Sequence, residues 1–78
     1  MSTLPNLKPR EVAKILSNAG FVEDTASGSH RIFKNPVKGN YTAVSFHPGT
    51  IPQNTLRAII KQSGMSVDEF ISFGKKKN

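Results

Sequence analysis

Val12, Ile15, Leu16 and Ala19 fall at i, i+3, i+4 and i+7, and Gly20 follows them at once. That spacing lines one face of a helix with apolar side chains. A glycine directly behind it is the residue that most readily takes the left-handed conformation in which helices stop. Pro9 suits the first turn, because the N–H it lacks would have no intrahelical partner there, and Arg10, Glu11, Lys14 and Ser17 point away from the stripe. After Gly20 the pattern changes. Phe21 and Val22 open a short strand, Glu23 to Gly28 reads as a polar connection, and Ser29 to Lys34 forms a second strand. Asn35-Pro36-Val37-Lys38-Gly39-Asn40 is dense in turn formers, and Tyr41 to Phe46 is rich in β-branched and aromatic residues, so these runs predict a hairpin.

Pro52 opens a second helix whose buried stripe is Leu56, Ile59 and Ile60 and which Gly64 closes. Ser66-Val67-Asp68-Glu69 carries the capping-box pattern, predicting a short third helix with Val67, Phe70 and Ile71 inward. The order α-β-β-β-α-α predicts an α+β fold, a three-stranded antiparallel sheet covered on one face by helices. Within the hairpin, Ile32 and Val44 are read as inward, with His30 at the frayed start of its strand. Residues 1–7 are expected to be a flexible leader, 8–73 a single domain with one modest core, and 74–78 a basic tail.

The absence of cysteine removes disulfides, thiolate nucleophiles and Cys-based zinc sites. No apolar run approaches the roughly 20 residues that span a bilayer, and the N-terminus lacks the charged and apolar regions of a secretory signal. The expectation is a cytoplasmic protein without membrane contact. A net charge of +6 favours polyanionic partners. Lys75, Lys76 and Lys77 hold part of that charge, leaving eight basic residues against five acidic ones elsewhere.

Two histidines seventeen positions apart, with no H-E-x-x-H helix and scattered carboxylates, supply no recognisable metal-ligand set. No metal or cofactor is expected. Phosphate-cradling and nucleophile-elbow motifs are also missing. Proton transfer is the chemistry that remains. Gly28-Ser29-His30-Arg31-Ile32-Phe33 sets an imidazole at the mouth of a strand, and histidine exchanges protons near neutrality. RNA cleavage fits such a group, because the adjacent 2′-hydroxyl attacks phosphorus once a base removes its proton. Arg31, Lys34 and Lys38 lie in the same hairpin to offset phosphorane charge, with Lys34 on the face of His30 and Arg31 on the opposite one. His47 is a secondary acid/base candidate or a turn residue. Tyr41 and Phe46 read as core rather than as base-stacking platforms.

Ala19-Gly20-Phe21, Gly28-Ser29-His30 with Ile32-Phe33, His47-Pro48, Thr55-Leu56-Arg57, Ile59, Gly64 and the Ser66 to Phe70 segment occur here in an order and spacing that resembles the HicA (YcfA-like) toxins. The likeness runs from Lys8 to Phe73. It implies a fold like the double-stranded RNA-binding domain, with a short extra C-terminal helix. It also implies the toxin of a type II HicA–HicB toxin–antitoxin pair, a metal-independent endoribonuclease that cleaves mRNA and arrests growth. The catalytic histidine of the family falls on His30, and Ser29, Arg31, Lys34 and Lys38 are the candidate RNA contacts. A HicB-type antitoxin is expected to cover His30, DNA binding belongs to the antitoxin, and the free toxin is expected to be a monomer. Arg31 stands where many relatives carry histidine or an aromatic residue, and Asn54 where glycine is frequent. The alternatives are a non-catalytic RNA-binding module of the same fold, or an inactive relative serving as a protein partner. Pro52-Gln53-Asn54-Thr55 offers no cation at the start of its helix, which disfavours duplex binding.

Overall fold

The structure, a computed structural model, describes residues 4–27 and 29–74. Its elements follow the predicted order: α1 Pro9–Asn18, β1 Val22–Ser27, β2 His30–Lys34, β3 Tyr41–Ser45, α2 Gln53–Ser63 and α3 Val67–Gly74. The three strands form one antiparallel sheet in the order β1-β2-β3. The α+β architecture is that expected from the sequence. Gly28 and the Lys75 to Lys77 run lie outside the described residues.

Burial of the α1 stripe places Val12, Ile15 and Leu16 in the core. The helix starts on half of a capping box: the Glu11 carboxylate accepts from the Lys8 N–H at 2.8 Å, while the lysine ammonium has no lone pair with which to reciprocate. In α2, Leu56, Ile59 and Ile60 are buried, and Gly64 ends the helix at φ 78°. In α3 the Ser66 and Glu69 pair closes in both directions, at 3.0 and 3.1 Å. Phe70 of α3 is fully buried, with Val67 packed against the core beside it. Helix α3 packs on α1, and α2 packs on β3. Thr42 Oγ1 donates to Gln62 Oε1 at 2.6 Å, pinning the sheet to α2. No helix among the described residues is long and apolar enough to cross a membrane.

Two expectations are corrected. The polar run read as a connection is itself most of β1, whose backbone pairs with β2 from Val22↔Lys34 to Ser27↔His30, with an irregularity between Glu23 and Thr25. An edge strand draws its order from ladder hydrogen bonds, so it does not need an apolar sequence. The second correction concerns β2, where Phe33 rather than Ile32 is buried. Register opposes Phe33 to Thr42 and Arg31 to Val44, and Thr42 and Val44 are both buried. The helix-covered face therefore carries Arg31 and Phe33. The open face carries His30, Ile32 and Lys34. The larger phenyl ring joins the core cluster, and the half-buried Ile32 is left on the opposite face of the strand.

Ahead of α1, Leu4 is buried in the core. The Leu7 carbonyl accepts the Ile51 N–H at 2.8 Å, tying the approach to α1 to the approach to α2.

Candidate functional site at one end of the sheet

His30 is the first residue of the central strand and is exposed. Because β1 and β3 flank β2, its backbone is fixed on both sides, by Ser27 and by Ser45. The Phe46 N–H donates to the Ser29 carbonyl and extends the β2–β3 ladder one step past His30. A rigid backbone thus presents a solvent-facing imidazole, and the ring makes no side-chain hydrogen bond among the described residues.

The other predicted residues divide between two faces and two ends. Ser29 is exposed beside His30. Lys34 shares the open face with His30 but stands four residues along β2, about 13 Å away at ~3.3 Å per residue. Lys38 is exposed in the β2–β3 turn, farther still from His30, where its N–H donates to Asn35 Oδ1 at 3.1 Å. Arg31 lies on the helix-covered face. Its guanidinium sits 4.4 Å from the centroid of the Phe46 ring and 3.5 Å from a Glu23 carboxylate oxygen. Neighbouring side chains therefore hold Arg31 away from the face of His30.

His47 is exposed just beyond β3, with Nδ1 3.2 Å from the Pro48 carbonyl oxygen. A carbonyl only accepts, so this contact requires a proton on Nδ1 and, in the neutral ring, leaves Nε2 as the acceptor. Tyr41, expected in the core, is 64% exposed. Phe46 is half-buried and packs against the core. Among the described residues no group of three or more His, Asp or Glu side chains is placed to hold a metal ion.

Sequence reasoning passed over a groove at the same end of the sheet as His30. It has a volume of about 570 Å³ and runs between Lys8, Arg10 and Glu11 at the start of α1 and Phe46, His47 and Pro48 after β3. Helical periodicity assigns Arg10 and Glu11 only to the polar side of α1 and says nothing of Lys8. The signal available was topological: in an antiparallel pair, the residues that follow β3 emerge where β2 begins.

A search of curated proteins finds no match to this chain. The family described as the HicA toxin of bacterial toxin–antitoxin systems matches residues 9–65, a span that takes in α1, the whole sheet with His30, and α2. On that match the chain belongs to the HicA toxin family, whose members act in toxin–antitoxin systems and so have an antitoxin as the partner class.

Proposed function

We propose that this HicA-family toxin is an endoribonuclease acting on mRNA, with His30 as its general base. The observation that carries the reading is an exposed imidazole on the first residue of the central strand, without a side-chain hydrogen bond among the described residues and backed by a paired ladder. His30 takes the proton of a ribose 2′-hydroxyl. The 2′-oxygen then forms a bond to phosphorus as the bond to the 5′-oxygen breaks, giving a 2′,3′-cyclic phosphate and a 5′-hydroxyl end. The leaving oxygen takes its proton from His47 or from water. The nucleophile is internal to the substrate, so the step needs no metal-bound hydroxide.

Lys34, on the same face, is positioned for a phosphate one or two nucleotides from the scissile bond rather than for the reacting phosphate itself. A HicB-type antitoxin covering the open face would block access to His30. The test is cleavage of a long unstructured RNA with chelator present, comparing wild type with a folded His30→Ala variant. Loss of roughly 10²- to 10⁴-fold in rate is expected for removal of a general base. Undiminished cleavage by the variant overturns the assignment of His30. Salt-sensitive RNA binding without products from the wild type supports a non-catalytic binding module instead.

A further inference from the structure

We infer that the groove between the start of α1 and the His47-Pro48-Gly49 turn is the binding track for the single-stranded RNA that leads to His30. The inference rests on the proposed ribonuclease reading and locates where its substrate runs.

Position is the first argument. The His30↔Ser45 pair ends the β2–β3 register, and one residue later Phe46 lines the groove. A strand crossing the sheet end at His30 passes directly into this cleft, whereas Lys34 and Lys38 lie at the opposite end of the hairpin.

Charge is the second. Lys8 and Arg10 stand on one wall, both exposed and in no ion pair among the described residues. The one carboxylate on that wall, Glu11, is turned to the Lys8 backbone N–H. Arg31 does not line the groove but stands against the ring of Phe46, which does, with Glu23 offsetting part of its charge. The balance favours a polyanion over a neutral or acidic ligand.

The third argument is the wall opposite. Pro48 and the exposed part of Phe46, whose ring already carries the Arg31 guanidinium on one face, offer apolar contact beside the cations, and cationic and apolar surface together suit single-stranded nucleic acid. The two walls are also held in place. Ile51 N–H donates to the Leu7 carbonyl at 2.8 Å, and Gln53 Nε2 reaches the Pro5 carbonyl at 3.4 Å and Asn6 Oδ1 at 3.3 Å. The cleft is preorganised rather than formed by a loose loop, so less ordering entropy opposes binding.

The experiment measures fluorescence anisotropy of a short single-stranded 2′-O-methyl RNA, whose blocked nucleophile keeps it intact, across a salt series. Proteins compared are the wild type, Lys8→Ala/Arg10→Ala, and Lys61→Glu, which makes the same change in net charge on the exposed side of α2. The double variant is expected to bind roughly tenfold more weakly, and its salt slope should shrink by about 1.4, the value for two lost phosphate contacts on a single strand. Lys61→Glu should stay within about twofold, the limit set by long-range charge alone. A fourth protein, Lys8→Ala/Arg10→Lys, keeps the charge at position 10 and should bind more tightly than Lys8→Ala/Arg10→Ala. Equal weakening by the double variant and Lys61→Glu, or no weakening by either, overturns the groove. Cleavage of unmodified RNA by the wild type is measured in parallel. If it cuts RNA while the groove variants bind normally, only the track is wrong. If it neither cuts nor binds, the ribonuclease reading falls first.

Discussion

At the scale of single residues, His30 and Gly64 show how backbone geometry decides what a side chain can do. Two flanking strands fix His30, so its imidazole is positioned without being buried. Gly64 ends α2 at φ 78°, and a Cβ added there would meet Asn40 Nδ2 at 3.3 Å. That amide donates to the Gln62 carbonyl at 3.0 Å, which limits how far it can retreat. An L-residue in this conformation costs about 1–2 kcal/mol. Gly64→Ala should therefore lower the thermal midpoint by roughly 5–15 °C, taking 4–8 °C per kcal/mol for a domain of this size. An unchanged midpoint by circular dichroism would show that the α2–α3 junction relaxes into another turn.

At the scale of elements, α3 depends on its start. Eight residues are too few for a helix to hold itself in water, so α3 exists through Phe70 in the core and through the reciprocal Ser66 and Glu69 bonds. Removing the hydroxyl in Ser66→Ala should cost about 1 kcal/mol. Hydrogen exchange should speed up at the amides of α3 more than at those of α1, and equal acceleration in both would make the cap a global rather than a local determinant. This helix was legible in the sequence because its cap and its apolar spacing agree. The same holds for α1, where Val12, Ile15 and Leu16 repeat the helical period, and for α2 with Leu56, Ile59 and Ile60. Strand β1 was not legible as a strand beyond its first residue, because Glu23, Asp24 and their polar successors pair through backbone groups that composition does not reveal. The facing of β2 was also beyond the sequence. Ile32 and Phe33 are adjacent and both apolar, so alternation leaves two solutions, and only packing into the core cluster selects Phe33. Of the candidate site, the placement of Lys34 on the side of His30 and of Arg31 on the other followed from alternation alone. The groove did not follow, since Lys8 and His47 are far apart in the chain and meet only through the return of β3.

At the scale of the whole molecule, α1 and α2 pack on the sheet and α3 packs on α1, and among the described residues no helix covers the face that carries His30, Ile32 and Lys34. That face also carries Val22 at 58% and Tyr41 at 64% exposure, joined across Lys34 by the strand register, with half-buried Ile32 between that row and His30. Apolar side chains spread over one face suit a protein partner, while the cations of the groove lie around the sheet end, toward α1. On the proposed reading the antitoxin takes the open face and the RNA track runs through the groove, the two meeting at His30 and sharing Lys34. If the antitoxin covers the open face, Tyr41→Ala should weaken its binding at least tenfold, about 1.4 kcal/mol, as for an aromatic side chain buried at an interface. The same variant should leave the thermal midpoint of the free toxin within about 2 °C, because Tyr41 is 64% exposed and surface substitutions cost little. Lys8→Ala/Arg10→Ala should show the converse, with antitoxin affinity retained and RNA affinity reduced. Isothermal titration with the protein encoded by the neighbouring reading frame, set beside the anisotropy series, reads both. Loss of antitoxin binding in the groove variant but not in Tyr41→Ala would place the antitoxin in the RNA track, so that inhibition would be direct competition for the cleft rather than a cover laid over the imidazole.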